Sequence, residues 1–143
     1  MPDFAFQVLS KIGILVSMTR EVISTIDAPA AIGPYSQAIK ASGSFYFMSG
    51  QIPLRPDGTL VTESVRDQTI QVIANMKAVL IAAGLDFPSI VKTTIFLSSM
   101  DHFVTVNEVY GAAVGGVPPA RSTVAVAGLP RGVDVEIEAV AVF

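Results

Sequence analysis

The amino-acid sequence predicts an α/β (α+β) fold, a single mixed β-sheet with two helices packed on one of its faces. Two segments carry apolar side chains at intervals of three and four, the spacing of an amphipathic helix. Six other segments are rich in β-branched and aromatic residues and are bounded by Gly, Pro, Asp or Ser. A chain of 143 residues is long enough for one domain. With six strands and two helices, that domain is predicted to be one sheet with both helices on one of its faces.

The predicted strands come in the order strands, helix, strand, helix, strands. They span residues 20–26, 37–41, 45–49, 90–97, 122–127 and 133–142. Ser42 and Gly43 indicate a tight turn between the second and third strands, and residues 129–132 indicate another before the last.

The first helix is predicted over residues 64–83, where apolar side chains such as Val72 recur at steps of three and four. Ser64 and Asp67 are spaced to cap its start, and Gly84 follows its end.

The second helix, over residues 101–114, is less strongly indicated because it contains β-branched residues at 104–106 and an interior Gly111. Asp101 is expected to cap it, and the prolines at 118–119 lie beyond its end.

The composition is too apolar for a small monomer. Hydrophobic residues make up 51% and charged residues 15%, with a mean hydropathy of +0.59, whereas an average domain has about 25% charged residues. Two helices leave one face of the sheet uncovered, and the last strand carries Val or Ala on both faces after Glu138. We therefore expect the uncovered face to contact other subunits.

Charge and composition also exclude several classes of function. A net charge of −3 and the lack of a Lys and Arg cluster disfavour nucleic acid as a partner. No run approaches the roughly 20 apolar residues that cross a membrane. With no cysteine and one histidine, His102, neither a metal site, a disulfide nor a Ser-His-Asp triad is expected. Chemistry would then rely on carboxylates, hydroxyls, arginine and water.

Residues 20–143 are expected to form the single domain, and residues 1–19 an N-terminal extension of unknown role. Residues 1–17 make a poor signal peptide, because they include Asp3 and lack a cleavage site of small residues. A mitochondrial presequence is the weaker alternative to an extra packed segment or a true start at Met18. The cytoplasm is the expected location.

Three places carry residues suited to chemistry. Glu136 and Glu138 are two apart in a strand and therefore share one face; they form either a solvated surface or a site that activates water. Arg121 follows rigid prolines and is either an ordinary surface residue or a planar fork for a carboxylate ligand. Ser49 and Gly50 end a strand, where the glycine serves either a turn or close approach of a ligand to the backbone.

Six short motifs occur along residues 20–143. They are AIGPYSQA from Ala31, SGQIP from Ser49, IVKTT from Ile90, VNEVY from Val106, PPARS from Pro118 and VEIEA from Val135. In their order and spacing they resemble the Rid/YjgF family of reactive-intermediate imine and enamine deaminases, which is also labelled endoribonuclease L-PSP. The resemblance implies a chorismate-mutase-like ββαβαβ fold and a homotrimer with the sheets facing an inner barrel. It also implies three clefts between subunits, each taking a small imine, enamine or 2-keto acid.

The resemblance also assigns residues to a cleft that needs no cofactor. Arg121 matches the arginine that holds the substrate carboxylate, and Glu136 matches the glutamate that holds and polarises water. The remaining cleft residues expected here are Tyr35, Ser49, Gly50, Asn107 and Thr123. Thr123 stands where the family's deaminases often have Cys, and Ala113 and Val114 stand where they have bulky aromatics, so substrate preference is expected to differ.

The expected activity is therefore hydrolysis of reactive imines or enamines, such as 2-aminoacrylate, to 2-keto acid and ammonia. One alternative is a trimer that binds small carboxylates or regulates a partner without catalysis. The second alternative is an endoribonuclease or translation inhibitor, which the acidic pI of about 4.9 disfavours.

Overall fold

A computed structural model describes residues 18–143, and their strands and helices follow the predicted order. The elements are β1 (Thr19–Ile23), β2 (Ala38–Ser42), β3 (Phe45–Gln51), α1 (Val65–Ala82), β4 (Ile90–Leu97), α2 (Phe103–Val114), β5 (Ala120–Ala125) and β6 (Val135–Val142). Short 3₁₀ turns precede β4, α2 and β6. The predictions for residues 1–17 lie outside the described residues.

The main sheet is mixed and has the strand order β3-β6-β4-β5. Strands β4 and β5 are parallel, as expected for two strands joined by the crossover helix α2, while β6 is antiparallel to both β3 and β4. This confirms the predicted mixed sheet with two helices.

Strands β1 and β2 form an antiparallel ladder of their own rather than adding to the main sheet. The segment before β2 is fixed instead near the start of β5. There Ser36 donates from its backbone N to Pro119 O at 2.9 Å and from Oγ to Pro118 O at 2.5 Å. Because these bonds hold Ser36 beside Ala120, β2 begins at the β5 edge of the sheet.

Both helices pack on one side of the main sheet. Val72, Met76 and Leu80 of α1 and Val106 and Tyr110 of α2 are buried in one core. The sheet side chains that join them, here called the helix face, include Thr93, Ile95 and Leu97 of β4 and Val135, Ile137 and Ala139 of β6. The side chains that alternate with these form the opposite, open face, and they include Thr94, Phe96, Glu136 and Glu138.

The start of α1 confirms the predicted cap, since Ser64 Oγ accepts the backbone N–H of Asp67 at 3.0 Å. The predicted cap of α2 was wrong. Ser99 Oγ accepts the N–H of Asp101 at 3.1 Å and starts a 3₁₀ turn over Met100–His102, so the α-helix begins only at Phe103. The serine two residues upstream supplies the capping oxygen that was assigned to the aspartate.

Candidate active site

Arg121 lies on the helix face of β5, and three aromatic rings surround its guanidinium. Its Cζ lies 5.4 Å from the ring centre of Tyr35, 5.8 Å from that of Phe103 and 5.3 Å from that of Tyr110. Contacts within about 6 Å of an aromatic face attract a cation. The rings therefore orient the guanidinium and partly shield it from water.

The guanidinium of Arg121 has spare hydrogen-bonding capacity. Its Nη1 donates to Asn107 Oδ1 at 2.5 Å, which uses one of the five N–H groups of an arginine. Among residues 18–143, no carboxylate forms an ion pair with it. Burial lowers the pKa of Arg121, and the neighbouring Tyr110 and Tyr35 oppose that shift. A half-buried cation without a carboxylate partner is suited to an anionic ligand.

Tyr110 itself is fixed beneath the arginine. Its hydroxyl shares a 2.7 Å hydrogen bond with Thr93 Oγ1 on β4, and both residues are fully buried. Burial raises the pKa of Tyr110, so this hydroxyl stays neutral and the ring remains a rigid support for Arg121.

The loop that carries Tyr35 lies against α2 because two glycines leave room for it. Gly33 has a φ of 110°, which favours glycine, and a Cβ there would lie 3.4 Å from Asn107 Nδ2. A Cβ on Gly111 of α2 would lie 3.2 Å from Pro34 Cβ.

The loop and the helix thus bring Tyr35 and Asn107 to the arginine of β5. We call Tyr35, Phe103, Asn107, Tyr110 and Arg121 the arginine cluster.

Phe103 and Tyr110 were not predicted as site residues. They lie four residues before and three residues after Asn107, which places all three on one side of a helix. The sequence contains this spacing, but aromatic residues at helical spacing are equally typical of core positions. The spacing alone therefore did not identify Phe103 and Tyr110 as site residues.

A second group of predicted residues surrounds a bulge in β3. The register between β3 and β6 shifts between Met48 and Gln51, and the bulge places Gly50 against the side chain of Glu136. A Cβ on Gly50 would overlap Glu136 Oε1 and lie 2.8 Å from Cδ. The glycine is therefore needed for space, because the carboxylate fills the position of its missing side chain. We call Ser49, Gly50 and Glu136 the glutamate bulge.

We expect Gly50→Ala to impair catalysis by displacing the Glu136 carboxylate or the β3 backbone. A misplacement of about 1 Å costs on the order of 100-fold in rate, and an overpacked site loses about 1 to 3 kcal/mol of stability. Gly128→Ala is the matched control, since a Cβ there meets nothing within 4 Å and no positive φ is involved. Steady-state kinetics and thermal melts of both variants test this, and equal rates for the two would contradict it.

The arginine cluster and the glutamate bulge lie on opposite faces of one sheet. Arg121 pairs in register with Thr93, which lies opposite Ala139, and it shares their helix face. Glu136 alternates with buried neighbours and lies on the open face, opposite Phe96. With strands about 4.8 Å apart and a rise of about 3.3 Å per residue, the two Cα atoms lie on the order of 14 Å apart. One chain therefore does not bring these two side chains to one ligand.

Three other residues with predicted roles have different surroundings. Thr123 lies two residues beyond Arg121 on the same face of β5, and its Oγ1 is buried without a hydrogen-bond partner among the described residues. A buried hydroxyl of this kind calls for a partner, as a ligand contact would provide. Ala113 and Val114, in contrast, line a separate cavity at the C-terminal end of α2.

His102 is not arranged as part of a catalytic triad. Its Nε2 lies 3.5 Å from Asp134 Oδ1, and Ser98 Oγ donates to the same oxygen at 2.7 Å. In a catalytic triad the serine contacts the imidazole and the imidazole contacts the carboxylate. Here the serine contacts the carboxylate instead, so no triad is formed.

Within residues 18–143, no three His, Asp or Glu side chains are grouped to hold a metal. No helix in that part of the chain is long and apolar enough to cross a membrane.

The fold and the arginine cluster together define a small α+β protein with a half-buried arginine that is surrounded by aromatic rings and has no carboxylate partner among the described residues. A family model described as Endoribonuclease L-PSP matches residues 25–143. The chain belongs to this family, which confirms the Rid/YjgF resemblance.

Named relatives and a solved structure show the same similarity. The chain is 52% identical over 126 residues to Reactive Intermediate Deaminase A, chloroplastic, of Arabidopsis thaliana, covering 87% of this chain and 67% of that protein. It is 50% identical over 127 residues to 2-iminobutanoate/2-iminopropanoate deaminase of Mus musculus, covering 88% and 93%. It is also similar to the crystal structure of E. coli TdcF with bound serine, with a TM-score of 0.65 and 43% identity, covering 86% of this chain and 98% of that chain.

Proposed function

We propose that this chain is a cofactor-free hydrolytic deaminase that converts reactive 2-imino and 2-enamino acids, such as 2-aminoacrylate, to 2-keto acid and ammonia. The observation that carries the proposal is Arg121, which has no carboxylate partner among the described residues and is fixed by Asn107 and three aromatic rings. The names of the mouse and Arabidopsis relatives support this reaction. The serine bound in E. coli TdcF supports a ligand with an α-carboxylate.

The reaction needs an anchor, an aimed water and a route for protons. The enamine first tautomerises to the imine, and the water oxygen then bonds to the imine carbon while the C=N electrons move to nitrogen, which takes up a proton. The hydroxyl of this adduct then gives up its proton, the amino group gains one, and the C–N bond breaks as the C=O bond forms, releasing ammonia and the 2-keto acid. Arg121 holds the carboxylate, and Glu136 accepts the proton of water and returns it to the leaving nitrogen. Each 1.4 kcal/mol that this positioning provides is worth about tenfold in rate.

The opposite faces of the sheet favour an active site assembled from two chains. The arginine cluster of one subunit and the glutamate bulge of its neighbour would form one cleft, and a closed ring of three chains would hold three such clefts. In this arrangement Tyr35, Asn107, Arg121 and Thr123 come from one side of each cleft. Ser49, Gly50 and Glu136 come from the other side.

The open face supports a homotrimer because it is apolar and exposed in the single chain. Phe47 is 80% exposed and Val124 is 42% exposed, and both lie on the open face by their register with Val140 and Phe96. Burying such a patch between subunits removes it from water. Light scattering is expected to give about 45 kDa, three times the 15.0 kDa chain.

Two alternatives remain distinguishable by experiment. A trimer that binds small carboxylates or regulates a partner would keep the arginine cluster without turnover. An endoribonuclease would need to bind RNA, which a chain with net charge −3 and without a basic cluster disfavours. RNA binding at neutral pH that weakens steeply with salt would favour that function. We keep the cytoplasm as the proposed location.

A deaminase assay tests the proposal directly. Enamines are generated from serine and threonine by a dehydratase that uses pyridoxal phosphate, and the appearance of 2-keto acid is followed with and without the protein. The proposed deaminase accelerates this step without an added metal or cofactor, and Arg121→Ala abolishes most of the acceleration. An intact trimer that leaves the rate at the value in buffer would contradict the proposal and favour a binding protein.

A further inference from the structure

A second partly buried arginine lies at the opposite end of α2 from Phe103. Arg20 of β1 donates from Nε to Ile90 O at 3.3 Å and from Nη2 to Val117 O at 3.0 Å. Burial lowers its pKa, and within residues 18–143 it forms no ion pair with a carboxylate. Arg20 and Arg121 are the two described arginines whose pKa is lowered by burial.

Arg20 borders a cavity of about 500 Å³ between β1, α1, the turn before β4 and the C-terminal end of α2. This volume lies in the range of about 300 to 1,000 Å³ typical of small-molecule sites. Most of the wall is apolar and includes Phe87, Ala113 and Val117. A largely apolar cavity with a few polar groups is the usual composition of a ligand pocket.

The other charged side chains at this cavity neutralise each other. Lys77 Nζ lies 2.7 Å from each carboxylate oxygen of Asp86 and 5.6 Å from the ring centre of Phe87. The lysine lowers the pKa of Asp86, which keeps the pair charged. Arg20 is therefore the charge at this cavity without a counterion among the described residues. Its two carbonyl bonds use two of five N–H groups, so donors remain for an anion.

The end of α2 influences which anion suits the cavity. Gly115 and Gly116 have φ values of 49° and 36°, and a Cβ on either would meet nothing within 4 Å. The helix thus ends in a turn without side chains, which leaves this rim open. The carbonyl groups at a helix C-terminus carry a partial negative charge, which offsets part of the charge of Arg20 and repels a dianion such as phosphate more strongly than a monoanion. A single negative charge on an apolar body fits better.

We propose that this cavity is a second ligand site, which binds a small monocarboxylate with an apolar body. The carboxylate lies against Arg20, and the body packs against Phe87, Ala113 and Val117. Each subunit then has two arginine sites, one in the arginine cluster and one here. Ala113 and Val114 influence ligand choice at this second site rather than at the cleft. The proposal does not depend on the deaminase activity.

Calorimetry with 3-methylbutanoate tests the site in the full-length Arg121→Ala protein, where the arginine of the cleft is removed. One binding event per chain is expected, and the uncharged isostere 3-methylbutanamide is expected to bind about tenfold more weakly or not at all. Adding Arg20→Gln is expected to weaken carboxylate binding about tenfold or more. Arg131→Gln, which removes an exposed arginine, is the matched control and is expected to leave binding unchanged.

Methyl NMR of the same Arg121→Ala protein gives a readout that does not depend on whether the Arg20 variant folds. The signals of Ala113 and Val117 are expected to shift on titration with 3-methylbutanoate and to stay in place with the amide. Binding that is lost completely in Arg121→Ala, or unchanged methyl signals at saturation, would overturn the proposal. Equal binding of acid and amide would also overturn it, because the negative charge of the ligand would then contribute nothing to binding at Arg20.

Discussion

Replacing Arg121 by lysine is expected to lower kcat/KM on 2-aminoacrylate by roughly tenfold to a hundredfold, since a charge-assisted bond contributes about 1.5 to 3 kcal/mol. The arginine uses one arm on Asn107 and stacks within three rings, so its planar fork remains free for a carboxylate. Lysine is a point charge without the planar fork that matches two carboxylate oxygens, and it lacks the flat face that stacks on the rings. Arg121→Ala is expected to cost more.

Kinetics of both variants, with thermal melts and light scattering as folding controls, measure this effect. Arg131→Lys is the matched control because Arg131 is exposed and lies outside the arginine cluster. A trimer of Arg121→Ala that turns over at the wild-type rate would show that the arginine is structural. A crystal with bound pyruvate whose carboxylate avoids Arg121 would show the same.

Glu136→Gln is expected to reduce kcat by about 10² to 10⁴, the usual contribution of a general acid or base. Glutamine has nearly the same shape, so it keeps the packing against Gly50 that fixes the side chain, but it accepts no proton from water. Glu138→Gln is the matched control, since Glu138 lies two residues along the same face and is exposed. Its rate is expected to be close to wild type.

The same two variants also test which of the two glutamates activates water. Sequence spacing alone allowed either residue to activate water, and the family resemblance selected Glu136. The contact with Gly50 is consistent with that choice, because it orders one carboxylate and not the other. Full activity in Glu136→Gln together with loss in Glu138→Gln would show that the wrong residue was assigned.

Local sequence patterns predicted the elements whose signals are local. The period of α1 and its Ser64 cap were confirmed, as were the bounds of β4 at Ile90–Leu97. The separate pairing of β1 with β2 was not predictable, because it depends on Ser36 bonding to Pro119, 83 residues away along the chain. The cap of α2 was misassigned because Ser99 and Asp101, two residues apart, are both of types that can accept a hydrogen bond at a helix start, and only Ser99 does so.

The candidate site shows the same limit. The sequence indicated that Gly50 serves either a turn or a ligand, but its contact with Glu136 arises from a bulge that shifts the register between two strands. The alternation of side chains placed Glu136 and Glu138 on one face, but it did not place Arg121 on the other. That result needed the register of β5 on β4 and of β4 on β6.

The most direct test of a site shared between subunits is complementation between two inactive variants. Arg121→Ala and Glu136→Gln chains are unfolded together in equal amounts, refolded and assayed on 2-aminoacrylate, with native mass spectrometry to verify mixed trimers. Every mixed trimer then contains one cleft with both wild-type residues, so about one quarter of the wild-type activity should return. Mixed trimers with no activity above the separate variants would contradict a cleft formed by Arg121 of one chain and Glu136 of the next.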